Sequence, residues 1–364
     1  MGGGIGHSLA EWIAHGEPGI DLHEMDPRRF GAYANKRYSS IKSREAFANN
    51  FGINYPDWEW PAARPAKTSP CYEKMKQHGA VFGATYGWEI PTWFAPTGVE
   101  RRDRHSYRRS NYFEHVAQEC RAVRERVGTY DLTPAGKYEV SGPGAAAWLD
   151  RRLASRLPDR PGRSALCYLL TSAGHICCEL TITRLSENHF YLVGSTIGER
   201  HSFDILTKAL PSDGSVMLQN VTSGFGALAI VGPRARDVLG AMTDGDLSNA
   251  AFPWWSAQTL TIGLASAVRT LRINYVGECG RQLPCTRLCR CASRRRWNEP
   301  RSRCPRRAAL SPHCGAFAMG SREYPASQLS GFLVLNPAIA DHLSLRHCDI
   351  RLFLLLITCL TAGL

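Results

Sequence analysis

The first residues that could do chemistry are four glycines ahead of a helix-capping motif, in the segment GGGIGHSLAEW. Ser8 and Glu11 have the spacing of a capping box and Gly16 is a typical helix stop, which predicts a helix over residues 8–15. Backbone N–H groups at its start, unobstructed by Cβ atoms, suit an anion or the electron-rich edge of a cofactor. Dinucleotide sites of this kind follow a strand, and only Met1 precedes these glycines. We therefore expect the segment to be the last piece of a larger binding domain.

The thirteen cysteines are the second group with chemical potential, and eight of them lie from Cys279 onward. In the first part of the chain, Cys177 and Cys178 are adjacent, a spacing that points strongly to neither a metal nor a redox site. The later cysteines leave two interpretations open, a zinc site beside an arginine-rich tail or the product of a reading-frame shift near Cys279. The zinc interpretation would use Cys285, Cys289, Cys291, Cys304 and Cys314. Because their spacing lacks paired zinc knuckles, we expect no metal site.

Positive charge, like cysteine, is concentrated in the part of the chain that begins near residue 280. The net charge is +12, and nine of those positive charges lie in residues 281–364, which hold thirteen arginines, no lysine and four acidic residues. No period of 2 or 3.6 runs through this tail, so we expect it to be disordered. A hydrophobic fraction of 44% excludes disorder throughout the chain. The apolar run at residues 352–364 is too short to span a bilayer, and we expect neither membrane nor nucleic acid as a partner.

The elements that position any site follow from periodicity. Residues 31–99 are rich in aromatics, glycine and proline with little periodicity, which predicts a small irregular domain, and the charged residues 100–111 predict a linker. From Tyr112 a helical pattern is followed by short strands, among them a hairpin formed by CELTITRL and HFYLVGS. KYEVSGPGAAAWLDRRL and ALAIVGPRARDVLGAM both predict a strand, a Gly-Pro turn and a helix, which implies two similar halves. The fold class is therefore α+β with antiparallel sheet.

Several long motifs in this order resemble the C-terminal half of the dimethylglycine and sarcosine dehydrogenase group. They are GGGIGHSLAEWI, TSPCYEKMKQHGAVFGATYGWEIPTWFAP, QECRAVRERVGTYDLT, GKYEVSGPGAAAWLDR, CELTITRL, IVGPRARDVL and RINYVGE. The resemblance extends from Gly2 to about Gly280. It implies an aminomethyltransferase-like, folate-binding module of antiparallel sheets, preceded by a small central domain of an FAD-dependent oxidoreductase. The implied division begins with residues 1–30 as the end of the flavin domain and residues 31–99 as the central domain. A linker at residues 100–111, an incomplete folate domain at residues 112–280 and a tail at residues 281–364 follow.

The resemblance also implies a chemistry and the residues that perform it. In such enzymes a flavin oxidises an N-methyl amine, and tetrahydrofolate accepts the one-carbon unit to give 5,10-methylenetetrahydrofolate. Glu179 matches the family aspartate that acts on the pterin nitrogens, although glutamate is longer by one methylene. Glu278 matches a second carboxylate at the pterin, and Leu166 and Val193 match apolar positions of the pterin slot. The alternative interpretations are a strand-end acid in a surface pair for Glu179, a hairpin-turn acid for Glu278, and core positions for Leu166 and Val193.

On the flavin side, the residues that match are Gly3, Gly4, Gly6 and His7. Because the preceding dinucleotide-binding motif is absent from this sequence, we expect the chain not to hold FAD alone and to need a separate flavin-domain polypeptide. The expected partners are folate and a methylated amine, in bacterial cytoplasm or the mitochondrial matrix. Two alternatives to an enzyme fragment remain, a folate-binding or scaffolding module without catalysis and, less favoured, a nucleic-acid-binding protein acting through the arginine-rich tail.

Overall fold

The structure is a computed structural model that describes residues 2–16, 19–20, 22–171, 174–273 and 280–286. Three helices come first among the helices and strands, and groups of two or three strands separated by single helices follow them. The helices are α1 (Gly2–His15), α2 (Lys36–Asn49), α3 (Tyr72–Gln77), α4 (Phe113–Glu125), α5 (Ala145–Arg152), α6 (Glu199–Lys208) and α7 (Ala235–Gly240). The strands are β1 (Ala80–Thr85), β2 (Trp88–Phe94), β3 (Gly128–Asp131), β4 (Gly136–Ser141), β5 (Ser164–Leu170), β6 (Ile176–Ser186), β7 (His189–Gly194), β8 (Met217–Asn220), β9 (Phe225–Val231), β10 (Ser256–Ile262), β11 (Ala265–Arg272) and β12 (Gly280–Thr286).

Strands β3 to β12 form two five-stranded antiparallel sheets. The first has the order β5-β6-β7-β4-β8 and the second the order β10-β11-β12-β9-β3, while β1 and β2 make a separate hairpin. The predicted hairpin of CELTITRL and HFYLVGS is β6 and β7, which pair antiparallel. Mixed helices and antiparallel sheets confirm the α+β class.

The repeated Gly-Pro units occupy equivalent places in the two sheets. Gly142 follows β4 with φ +119° and Gly232 follows β9 with φ +118°, and each turn leads into a short helix. Only glycine adopts such values readily, which explains why the same residue recurs at both turns. The strand before the first unit, β3, pairs with β9 of the second sheet. The strand before the second unit, β8, pairs with β4 of the first sheet. The two halves are therefore interlocked.

One face of the first sheet forms the largest apolar core. Along β6, Cys178, Leu180 and Ile182 are buried in a cluster with Trp148 and Leu149 of α5. The Trp148 indole N–H also donates to the Ala209 carbonyl at the end of α6, at 2.8 Å. Since side chains alternate along a strand, Glu179, Thr181 and Thr183 face the other way. The helices thus cover one face of the sheet and leave a polar face toward the second sheet.

The N-terminal region differs from the prediction in two elements. Helix α1 begins at Gly2 and not at Ser8, which is buried inside it. Glycine lowers helix stability by only about 1 kcal/mol per residue, so a helix can extend through these positions. Residues 31–99 also contain α2, a helix of 14 residues. Its N-cap residue, Asn35, accepts a hydrogen bond from the Tyr38 N–H. Because α2 has no buried residue, it lacks the apolar period that would have predicted it.

Two further predictions concern the end of the described region. Residues 281–286, which the sequence assigns to the tail, belong to β12, and this strand lies between β11 and β9. Backbone pairing to both neighbours decides this placement, and such pairing requires no side-chain pattern. Residues 287–364 and Glu278 lie outside the described residues. Within the described part of the chain, no helix has the length and apolar character needed to cross a bilayer.

Candidate functional site

The polar face of the first sheet brings three of the predicted site residues together. Tyr168 of β5 lies directly opposite Glu179 of β6, and Leu166 lies opposite Thr181. Thr181 in turn pairs with Val193 of β7. Directly paired residues share a face, with Cβ atoms about 5 Å apart. Leu166, Glu179 and Val193 therefore line one surface, and all three are half-buried.

Glu179 is the acidic group of this surface. Its Oε2 atom is buried and has no hydrogen-bond partner among the described residues. Burial raises the pKa of the Glu179 carboxyl, while a hydrogen bond with Tyr168 acts in the opposite direction. An unpaired buried carboxylate oxygen is costly, so the site is suited to a ligand that donates an N–H or O–H group.

Tyr168 is a site residue that the sequence reasoning missed. Burial and the neighbouring Glu179 charge both raise the pKa of the Tyr168 phenol, which keeps the hydroxyl protonated. A protonated hydroxyl donates to the carboxylate and holds it in place. The signal that could have identified Tyr168 is the register of β5 against β6, which places it across from Glu179.

Arg269 of β11 approaches the same polar face from the second sheet. Its Nη2 atom lies 3.0 Å from Glu139 Oε1 of β4. The guanidinium carbon lies 4.3 Å from the ring centre of Tyr191 and 5.3 Å from that of Phe225. Arg269 Nη1 is buried without a hydrogen-bond partner among the described residues. This contact joins the two sheets, and no local pattern predicts it because the partners are 130 positions apart.

Lys137 adds a buried cation at the Val193 end of the surface. It pairs with Val193 across β4 and β7, and its Nζ atom donates to the Thr133 and Ala135 carbonyls at 2.7 Å each. Burial lowers the pKa of Lys137 to about 8, although the Asp131 and Glu199 charges oppose the change. These bonds identify Lys137 as an anchor for the loop between β3 and β4.

The predicted flavin-side residues lie in α1. A Cβ atom added to Gly3, Gly4 or Gly6 would meet nothing within 4 Å, so these glycines do not form a closed cradle. His7 Nε2 lies 3.3 Å from Glu11 Oε1, one turn along the same helix. The remaining predicted residue, Glu278, is outside the described residues. In the described part of the chain, no three His, Cys, Asp or Glu side chains are arranged to hold a metal ion.

Comparison with known proteins places this geometry in context. The family model of the GCVT N-terminal domain matches residues 71–287, and that of the FAD dependent oxidoreductase central domain matches residues 15–69. Mitochondrial dimethylglycine dehydrogenase of Mus musculus is 37% identical over 283 residues, which are 77% of this chain and 32% of that protein. Mitochondrial sarcosine dehydrogenase of Homo sapiens is 28% identical over 78% of this chain and 35% of its own length. The mitochondrial pyruvate dehydrogenase phosphatase regulatory subunit of Mus musculus is 27% identical over 77% of this chain and 33% of its own. The chain thus spans about a third of the length of these relatives.

Proposed function

The chain belongs to the GCVT N-terminal domain family, in the dimethylglycine and sarcosine dehydrogenase group, and from this we propose that its polar sheet face binds a reduced folate. The observation that carries the proposal is the buried Oε2 atom of Glu179, which has no hydrogen-bond partner among the described residues and shares one face with Leu166 and Val193. A pterin ring offers several N–H donors on a flat apolar body. The carboxylate would accept from those donors while the two apolar side chains contact the ring.

The proposed chemistry is transfer of a one-carbon unit from an oxidised N-methyl amino acid to tetrahydrofolate. Glu179 would orient the pterin and accept a proton as the attacking nitrogen forms its new bond to carbon. Burial raises the pKa of this carboxyl, which makes it a stronger base than an exposed glutamate. Tyr168 would hold the carboxylate in position. Dimethylglycine and sarcosine, which appear in the relatives' names, are the proposed methylated amines.

FAD enters the proposal only as a group carried by another part of the enzyme. Gly3, Gly4 and Gly6 have open space around them and do not fit a flavin cradle, so we derive no step through FAD. A separate flavin-domain polypeptide is the proposed partner. The proposed compartment is bacterial cytoplasm or the mitochondrial matrix, and the mitochondrial names of the relatives support the second.

The test is calorimetric titration of the protein with tetrahydrofolate under anaerobic conditions. We expect Glu179→Ala to weaken binding about 10- to 100-fold, since a hydrogen bond to a charged group contributes about 1.5–3 kcal/mol. Glu179→Asp keeps the carboxylate and should weaken binding less. The control is Glu187→Ala, an exposed acid in the β6–β7 turn of the same hairpin. Equal affinity of Glu179→Ala and the control would rule out this surface as the folate site.

A second candidate function is a folate-binding or scaffolding module without catalysis. The observation in its favour is the likeness to a protein named as a regulatory subunit. Turnover of a methylated amine, measured with a flavin-domain polypeptide present, separates the two candidates. Folate binding without turnover would favour the scaffold.

A further inference from the structure

A distortion in β6 changes the direction of one cysteine. Leu169 pairs with Cys178 and Leu170 pairs with Ile176, so β6 holds one more residue than β5 at this point, and that residue is Cys177. Such a β-bulge redirects a side chain, and bulges are common beside functional sites. In a regular strand Cys177 and Cys178 would point to opposite faces. Here Cys177 contacts His201 and Cys178 interacts with Ser202, so both thiols are directed toward α6.

The Cys177 thiol forms a pair with an imidazole. Its Sγ atom lies 3.4 Å from His201 Nε2, within hydrogen-bond distance for sulfur. Cys177 is half-buried, whereas Cys178 is buried. A hydrogen bond with Cys177, and then burial, raise the pKa of the Cys178 thiol.

The contact with His201 places the Cys177 thiol beside the start of α6. His201 lies in the first turn of α6, where backbone N–H groups give the helix its positive end. The ring of His23 lies against that of His201, with 4.3 Å between centroids. Thiols near a helix N-terminus and a histidine have lowered pKa values and raised reactivity.

Three ion pairs lie on α6 or against it. Arg200 lies 3.5 Å from Asp204 on α6. Arg28 belongs to a short 3-10 helix, Pro27–Phe30, that packs on α6, and it lies 2.6 Å from Asp26. Glu199 lies 3.9 Å from Lys67. Cys177 itself contacts the titratable groups of His201 and Cys178, and His23 lies against His201.

We propose that Cys177 and His201 form a reactive thiol site that is oxidised by hydroperoxides. The site is independent of the polar sheet face, because Glu179 points to the opposite side of β6. In the reaction the thiol proton passes to His201 Nε2, and the thiolate sulfur attacks one peroxide oxygen. The O–O bond breaks as the S–O bond forms, so sulfur loses two electrons and the peroxide gains them. The leaving oxygen takes the proton from the imidazolium and departs as an alcohol or water, leaving Cys177 as a sulfenic acid.

The test measures the alkylation rate of each cysteine in the full chain with iodoacetamide at pH 5–9, by peptide mass spectrometry. Burial raises the pKa values of Cys120 and Cys167 to about 11, so these thiols are internal references. We expect Cys177 to react at least about 10-fold faster than either at pH 7, with a rate profile that inflects below the usual thiol pKa of about 8.5. Equal rates for the three thiols would overturn the proposal without any variant.

Two variants then test the role of the imidazole. His201→Gln should slow alkylation of Cys177 at pH 7 by about 5- to 10-fold and move the inflection to higher pH. His189→Gln is the control, because His189 lies 3.4 Å from Glu139 and does not share the Cys177 contact. After treatment with hydrogen peroxide, a sulfenic acid trap should label Cys177 in the wild type and the control, and much less in His201→Gln. Labelling that does not depend on His201 would overturn the assignment of the pair.

Discussion

Buried ionisable groups in this molecule behave differently according to their partners. Glu179 has a buried oxygen without a hydrogen-bond partner among the described residues and lies on the polar face of the first sheet, which favours a ligand site. Lys137 is more deeply buried than Glu179, but its ammonium group donates to two backbone carbonyls, which gives it a structural role. Glu119 of α4 is a third case, since its Oε1 atom accepts from the Phe94 N–H of β2 at 2.9 Å. A buried ionisable group with hydrogen-bond partners inside the protein is therefore a structural contact, whereas one that lacks such a partner is a candidate ligand site.

We predict that Glu119→Gln raises stability at high pH. Burial raises the pKa of Glu119 well above its usual value, so the folded chain keeps a proton that the unfolded chain releases. Between those two pKa values the free energy of unfolding falls as pH rises, by about 1.4 kcal/mol per unit of pKa difference. Glutamine keeps the acceptor for Phe94 and removes this dependence. Urea unfolding of both proteins at pH 5 and pH 8 measures it.

The control for this prediction is Glu125→Gln, an exposed acid on the same helix. It should leave the pH dependence of the wild type unchanged. If Glu119→Gln lowers stability equally at both pH values, the carboxyl is ionised in the folded protein and the prediction is wrong.

The elements are held in place by turns and by cross-sheet contacts. Both Gly-Pro turns bring the backbone against another segment, since a Cβ atom on Gly232 would lie 2.7 Å from the Val123 and Arg126 carbonyls. A Cβ atom on Gly142 would clash with the Ser215 carbonyl. Equivalent turns thus seat α5 and α7 against their sheets by the same steric rule.

We predict that Gly142→Ala and Gly232→Ala each destabilise the protein by more than about 2 kcal/mol, because strain in φ and a backbone clash add together. The matched control is Gly214→Ala. Gly214 has φ +73°, and its added Cβ would meet nothing within 4 Å, so only the strain remains. Its expected cost is about 1 kcal/mol. Thermal unfolding of the three variants measures these losses of stability. Equal losses in all three would show that local movement relieves the clash.

The Glu139–Arg269 pair gives a second prediction at this scale. Both side chains are 19% exposed and join β4 to β11. In a double-mutant cycle, Glu139→Gln and Arg269→Met should show a coupling energy of about 1–3 kcal/mol. The control cycle is Arg200 and Asp204, a more exposed pair on α6 that should couple by about 0.3–0.5 kcal/mol. Equal coupling in both cycles would mean that the sheets are not held by this pair.

At the scale of the whole molecule, the two sheets are one structure. β3 belongs in sequence to the first half and pairs with β9, whereas β8 precedes the second half and pairs with β4. The Ser164 N–H of β5 also donates to the Trp255 carbonyl next to β10, at 2.8 Å. Neither half can therefore complete its sheet from its own strands.

This exchange predicts that the two halves unfold together. In hydrogen exchange at rising denaturant, the amides of β4–β7 and those of β9–β11 should open with the same free energy. Trp148→Ala removes a buried core side chain of the first half and should lower protection in both halves equally. Loss of protection confined to β4–β7 would show that the halves are separate folding units.

Sequence patterns were sufficient for what depends on local order. The Gly-Pro units, the β6–β7 hairpin and the amphipathic α4 all carry periodicity or turn residues, and each forms as predicted. The family resemblance identified Leu166, Glu179 and Val193, and the strand pairing places all three on one face. α2 and β12 were missed because an exposed helix and a strand defined by backbone pairing leave no such pattern.

Tertiary structure alone decided which groups meet across long distances in the chain. Tyr168 reaches Glu179 only through the register of two strands, and Arg269 reaches Glu139 only because two sheets face each other. The Cys177–His201 contact depends on a bulge, which shifts one residue and has no signature in composition or period. Local sequence fixes which faces are apolar through the alternation of side chains. Which polar groups those faces bring together depends on non-local pairing, and that is why the chemistry of this chain becomes visible only in the folded molecule.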